Sequence, residues 1–181
     1  MRRYLSAAAL TLAASIIVAE PAVAQAAGHA GHAGHAGHAP TASPQASPEV
    51  AAVTQAIRAL FAAAERGDLA ALDSMYAGDS LIVMEGAGIN RGWTDYRDHH
   101  LAPELKEFRN FRYRPFEIEA RVSGTMAWAN FRYALMADLP DRKVDALGRG
   151  TAILERRGNR WIVRLTHTAS RARRAGDPPM P

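Results

Sequence analysis

Cysteine is absent from this sequence, which excludes disulfides, thiolate metal sites and thiol catalysis, so the folded state must be held together by packing. A strong excess of one charge is also absent: the formal net charge is +4, and the basic residues are scattered among acidic ones. Because aromatic and basic residues do not interleave as in single-strand binders, no nucleic-acid partner is expected. Beyond residue 24 no apolar run is long enough to span a bilayer, so no stable membrane anchor is expected.

Residues 1–24 have the organisation of a secretory signal peptide. Arg2 and Arg3 precede an apolar run over residues 5–19, and Ala22-Val23-Ala24 supplies the small residues that come before a cleavage site. A membrane anchor is the alternative, but the run is short for a bilayer core. We therefore predict a periplasmic or secreted protein whose mature chain begins at about Gln25.

Residues 25–47 form a low-complexity arm and linker that we expect to be disordered, since glycine and proline at this density neither hold a helix nor bury a face. Four Gly-His-Ala units place histidines three residues apart, at His29, His32, His35 and His38. Imidazoles on a flexible tether bind a divalent metal such as Cu, Ni or Zn without strain. Metal capture is one interpretation of this arm, and a spacer without a specific role is the other.

The pattern changes at residue 48, where a folded domain is predicted to begin and to extend to residue 171. Ser47 and Pro48 are typical of a helix start, and apolar residues recur at helical spacing until Gly67. Asp68 is predicted to cap a second helix that stops at Gly78. A strand over residues 80–85, a glycine-rich loop and a third helix over residues 93–101, ending before Pro103, are expected to follow.

In the remainder of the domain, apolar and polar residues alternate. This pattern predicts β-strands over residues 116–122, 125–139, 150–156 and 161–170. Helices followed by alternating strands indicate an α+β fold, in which three N-terminal helices pack on a strongly curved antiparallel sheet and enclose a conical pocket. Residues 172–181 are expected to form a disordered tail.

The final strand supplies the first candidate for a binding residue. Strict alternation places Trp161, Val163, Leu165 and His167 on one face. Because His167 ends an apolar row, we expect its imidazole to be a polar group inside the pocket, where a small ligand would meet it.

The third helix supplies further candidates. Trp93, Tyr96 and His100 fall at i, i+3 and i+7 and share one stripe, whereas His99 lies beside Asp95 on a more exposed flank.

We expect His100 to point inward, towards His167 and Glu85. Two imidazoles and a carboxylate would hold a divalent metal with open positions or act as an acid–base pair near neutral pH. The alternative is that each histidine merely satisfies a backbone carbonyl in the core. On the long strand, Tyr133 is a further candidate to offer a hydroxyl to a ligand.

The order of elements and several short motifs resemble those of the nuclear transport factor 2-like (NTF2-like) superfamily, in its SnoaL-like, ketosteroid-isomerase-like branch. The motifs are Gly67-Asp68, Tyr76-Ala77-Gly78-Asp79, Arg91-Gly92-Trp93, the segment from Gly124 to Trp128 and the closing segment from Trp161 to Ser170. This resemblance covers roughly residues 48–171 and implies the cone-shaped fold. It does not imply one reaction, because members of the superfamily include isomerases, cyclases, dehydratases, hydrolases and proteins that only bind ligands.

Steroid isomerisation is disfavoured, since the position of the isomerases' general-base aspartate falls on Met84. We expect the domain to bind a small, partly apolar molecule. The alternatives are an isomerase, lyase or hydrolase using His100 and His167, and a periplasmic metal-binding protein acting through the histidine-rich arm. A homodimer formed through the outer face of the sheet is a further expectation.

Overall fold

The computed structural model describes residues 47–181, so the predicted signal peptide and the four histidines of the arm lie outside the described residues. The elements are α1 (Pro48–Glu65), α2 (Leu69–Asp73), β1 (Ile82–Glu85), β2 (Gly88–Arg91), α3 (Trp93–Tyr96), α4 (Ala102–Glu107), β3 (Arg109–Ser123), β4 (Met126–Asp138), β5 (Lys143–Arg157) and β6 (Arg160–Ala172). None of the helices in this part of the chain is both long enough and apolar enough to cross a membrane.

The two predicted helix starts are confirmed by their caps. The Ser47 hydroxyl accepts a hydrogen bond from the Val50 N–H at 3.3 Å, and Pro48 occupies the first turn. The Asp68 carboxylate accepts from the Ala71 N–H at 3.0 Å. The buried residues of α1 are Val53, Ile57, Leu60, Phe61, Ala63 and Ala64.

The sheet has six strands in the order β2-β1-β6-β5-β4-β3. It is mixed rather than wholly antiparallel, because β1 pairs with β6 in parallel while the other neighbours are antiparallel. The prediction of a glycine-rich loop from β1 to the third helix is wrong: the chain turns at Gly86, where φ is 57°, and returns as β2.

The third predicted helix continues past Pro103, contrary to expectation. A π-helical turn over Arg97–Leu101 follows α3, and α4 then runs to Glu107. Pro103 lies in the first turn of α4, directly after the π-helical turn. Since β1 and β2 precede α3, three helices ahead of the sheet are not the arrangement observed in residues 47–181.

We call the face of the sheet that α1 covers the inner face, and the opposite one the outer face. The centre of the inner face is filled by aromatic rings around Phe61, whose centroid lies 4.2 Å from that of Tyr113, 5.3 Å from that of Phe131 and 5.9 Å from that of Tyr133. These rings belong to one buried cluster that α1, the helical segment 93–101 and the long strands share. The inner face is therefore largely apolar and aromatic.

Candidate functional site

Glu85, at the end of β1, places a carboxylate on the inner face. Val83 on the same strand is buried in the core with 1% exposure, and alternation sends Glu85 to the same side. Two side chains of the helical segment reach it: the His100 Nε2 lies 2.7 Å from Glu85 Oε2, and the Tyr96 hydroxyl donates to Glu85 Oε1 at 3.3 Å. The predicted proximity of His100 to Glu85 is thus confirmed, and Tyr96 joins them through its hydroxyl.

A second carboxyl, from Glu104 of α4, joins this group and was missed from the sequence. Its Oε1 lies 3.5 Å from His100 Nε2. The signal was available, because residues four apart on a helix face the same side. We call Glu85, Tyr96, His100 and Glu104 the Glu85 cluster. The side chains of Glu85 and His100 are each 31% exposed and that of Glu104 is 15% exposed, so the cluster opens to solvent.

Burial and neighbouring charges shift the pKa of two groups in the cluster, His100 and Glu104. The hydrogen bond to Glu85 raises the pKa of His100, and the charges of Glu85 and Glu104 add to this effect against partial burial. Burial raises the pKa of Glu104 to about 7, helped by the charge of Glu85 and opposed by His100. Glu104 is therefore a carboxyl that both holds and releases a proton near physiological pH.

Four tyrosines of the inner face carry hydroxyls whose pKa is raised. Burial raises the pKa of Tyr76, Tyr96, Tyr113 and Tyr133, and the negative charge of Glu85 adds to the rise in each case. Hydrogen bonds with Ser170 and Thr168 partly offset it at Tyr133. These hydroxyls stay neutral near physiological pH and remain able to donate hydrogen bonds.

Trp93, another predicted binding residue, lies behind the cluster rather than in it. Its indole N–H donates to Asp73, and its ring stacks on Tyr76 with centroids 4.8 Å apart. His99 lies on the exposed flank as predicted, with its Nδ1 3.0 Å from Asp95 Oδ1 and its side chain 75% exposed.

The prediction that His167 faces the interior is wrong. The pairing of β5 with β6 shifts by one residue, because Ile153 opposes Leu165 whereas Leu154 opposes Val163. The extra residue, Arg164, forms a bulge that reverses the alternation. Val163 is buried in the core, whereas His167 is exposed.

The same bulge separates the two histidines that were expected to meet. His100 lies with Glu85 on the inner face, whereas His167 lies on the outer face beside Met84, its partner in the register of β1 and β6. Within residues 47–181 no three histidine, aspartate or glutamate side chains are placed to hold a metal ion. The expected centre of two imidazoles and a carboxylate is therefore not formed.

A curved six-stranded sheet covered on one face by helices, with ionisable groups at the edge of an aromatic interior, defines the NTF2-like class of α+β proteins. The chain belongs to the family of SnoaL-like domains, whose model matches residues 53–170. None of the curated proteins matches its sequence.

Solved structures agree with this assignment. An NTF2-like family protein from Streptomyces avermitilis, described as a candidate dehydratase, is 17% identical with a TM-score of 0.61, covering 67% of this chain and 94% of its own. A candidate ketosteroid isomerase from Shewanella frigidimarina is 19% identical with a TM-score of 0.57, covering 65% of this chain and 94% of its own. LinA is 17% identical with a TM-score of 0.60, covering 72% of this chain and 92% of its own. At these identities the likeness shows the fold.

Proposed function

We propose that this domain binds a small, partly apolar molecule on the inner face of the sheet, with the Glu85 cluster as its polar contact, in a protein exported to the periplasm or the medium. The observation that carries the proposal is the position of the cluster. Glu85 and His100 are partly exposed, while the rings beside them belong to the buried aromatic cluster. Few convergent polar groups beside apolar side chains are typical of small-molecule sites.

The chemistry of the cluster favours a ligand with a hydroxyl or carbonyl group. The Glu85 carboxylate accepts a hydrogen bond from a hydroxyl, and the protonated Glu104 carboxyl, whose pKa is about 7, donates one to a carbonyl oxygen. The ring of Tyr96, whose centroid lies 5.3 Å from that of His100, would contact the apolar remainder of the ligand.

This proposal is tested with 2-naphthol and with naphthalene, which lacks the hydroxyl, both titrated by fluorescence. Wild-type protein should bind 2-naphthol more tightly. Glu85→Gln should weaken 2-naphthol binding about tenfold, because it removes a charged acceptor, and should leave naphthalene binding unchanged.

The matched control for the cluster is provided by two adjacent histidines. His100→Gln should weaken 2-naphthol binding, whereas His99→Gln should not, because His99 lies on the exposed flank. Equal binding by both histidine variants, or no saturable binding of 2-naphthol by the wild type, would contradict the proposal.

A second candidate function, proton-transfer catalysis of the isomerase or lyase type, is favoured by the paired Glu104 and His100. The carboxyl with a pKa of about 7 lies 3.5 Å from an imidazole whose pKa is also raised, and such groups exchange protons near neutral pH. Glu85 would accept the substrate proton and Glu104 would donate one, without His167. Native mass spectrometry distinguishes the candidates: a binding protein retains its copurifying molecule unchanged, and an enzyme converts it.

A further inference from the structure

The outer face of the sheet carries a polar row that crosses four strands. Glu119 of β3 lies opposite Asn130 of β4, Asn130 opposite Thr151 of β5, and Thr151 opposite His167 of β6. In the next row, Arg132 of β4 lies directly opposite Arg149 of β5. The two rows line a cleft of about 450 Å³ on the outer face, which we call the outer cleft.

The two arginines of the outer cleft differ in how their charges are balanced. Both Oε1 and Oε2 of Glu117 lie 3.2 Å from Arg132 Nη1, and the Arg132 guanidinium carbon lies 5.0 Å above the Phe116 ring. Glu117 reaches this position because β3 bulges there: its φ is 48° and the register shifts between Phe116 and Glu119.

Arg149 is exposed, and within residues 47–181 it forms no ion pair. Like charges directly opposite each other on neighbouring strands are destabilising. Of the two arginines that line the outer cleft, Arg132 is thus paired with a carboxylate, and Arg149 forms no ion pair within the described residues.

Further hydrogen-bond donors lie beside Arg149. The Thr151 hydroxyl donates to Asn130 Oδ1 at 2.9 Å. Asn130 also lines the outer cleft, and this bond leaves its amide N–H₂ available as a donor. The exposed imidazole of His167 lines the same cleft on the β6 side. Arg149, Asn130 and His167 thus present N–H groups to one space, and the acceptors Glu117 and Glu119 lie on its β3 side.

We propose that the outer cleft is a second binding site, separate from the Glu85 cluster, and that it takes a small organic carboxylate. The Arg149 guanidinium offers a carboxylate two parallel hydrogen bonds, and the carboxylate would be its ion-pair partner. Asn130 and His167 add donors. Glu119 repels a second negative charge, so one carboxylate, with an apolar or cationic remainder towards β3, fits the outer cleft best.

The test uses hexanoate, 6-aminohexanoate and uncharged hexanamide, each titrated calorimetrically into full-length mature protein at low salt. Hexanoate and 6-aminohexanoate should bind saturably and hexanamide should not. Arg149→Gln should weaken hexanoate binding at least tenfold, with an unchanged melting temperature because Arg149 is exposed. The matched control is Arg160→Gln: Arg160 is an exposed arginine at the start of β6, outside the outer cleft, and this variant should bind hexanoate like the wild type.

Three outcomes would overturn the proposal. Equal binding of hexanoate and hexanamide would show that the charge is not recognised. Equal loss in Arg149→Gln and Arg160→Gln would show only general attraction by positive charge. A wild-type dimer that binds no hexanoate and dissociates in Arg149→Gln would assign the outer cleft to a second copy of the chain.

Discussion

His100 shows how neighbouring side chains convert an ordinary residue into a candidate functional one. Its imidazole contacts two carboxyl groups, at 2.7 Å from Glu85 and 3.5 Å from Glu104. Burial raises the pKa of Glu104 to about 7, and the charge of Glu85 adds to the rise, although the nearby imidazole opposes it. The cluster therefore exchanges protons with solvent around neutral pH.

Glu104 should also make the stability of the domain depend on pH. Its folded-state pKa of about 7 lies above the usual 4.5, so its stabilising contribution is complete below pH 4.5 and is lost as the pH rises through 7. His100, with a raised pKa, acts in the same direction. We expect the free energy of unfolding to fall on the order of 2 kcal/mol between pH 5 and 8, measured by urea denaturation.

Glu104→Gln should flatten this pH dependence, because glutamine does not titrate. The charged groups that act on Glu104 are His100, Glu85 and Glu107, and all three remain in the variant. Asp141→Asn, in the exposed turn after β4, serves as the control and should keep the wild-type slope. A wild-type slope in Glu104→Gln would contradict the assignment of the titration to this carboxyl.

For single residues, the sequence predicted which side chains lie together when those side chains belong to the same helix or strand. Tyr96 and His100 share a helix face and could be paired from their spacing alone. The sheet face on which His167 lies could not be predicted, because it depends on the bulge at Arg164. That bulge contains no glycine or proline that would mark it in the sequence. Glu104 was missed because it follows Pro103, and the helix was predicted to end before that proline.

At the scale of elements, the centre of β5 is shaped by the aromatic rings of β4. Tyr133 lies opposite Gly148, and Phe131 lies opposite Gly150. A β-carbon at Gly150 would stand 2.6 Å from the Phe131 ring, and one at Gly148 would run into the Tyr133 ring. The two glycines allow the rings to lie flat on β5 and to turn towards Phe61.

Gly148→Ala should therefore destabilise the domain by about 1–3 kcal/mol, the usual cost of overpacking a core. Urea denaturation measures the change. The control is the double variant with Tyr133→Leu, in which the ring is absent and the alanine should cost much less than in the wild-type background. Equal costs in both backgrounds would show that Tyr133 is not the obstacle.

An element could be predicted when its own residues determine it, and it was missed when contacts with other elements determine it. Helix α1 was predicted to its first residue because Ser47 and Pro48 define its start. The long strands were found from their alternation, but β3 and β5 each begin seven residues earlier than predicted, at Arg109 and Lys143. Strand β2 was missed because it has four residues, none of them buried, so it has no apolar pattern and is formed only by pairing with β1. The π-helical turn after Tyr96 likewise has no signature in its sequence.

At the scale of the whole molecule, the described residues, 47–181, form a compact unit, and its core residues are contributed by segments from Val53 to Val163. The C-terminal end contacts the sheet: Arg171 pairs with Asp177 at 2.7 Å, and Arg173 with Asp145 at 2.7 Å. The hydrogen bonds from Arg171 hold the pKa of Asp177 well below its usual range. Folding of this unit is thus expected not to require the arm.

The histidine-rich arm leads to the last prediction. Because no three acidic or histidine side chains within residues 47–181 are placed to hold a metal, we expect Cu²⁺, Ni²⁺ or Zn²⁺ to bind the mature chain through His29, His32, His35 and His38. Calorimetry of the mature chain should show this binding, and deletion of residues 28–39 should abolish it while the melting temperature stays the same. Replacing the four histidines with glutamine, which preserves the length of the arm, should have the same effect. Unchanged metal affinity in both variants would place the metal elsewhere and leave the arm as a spacer.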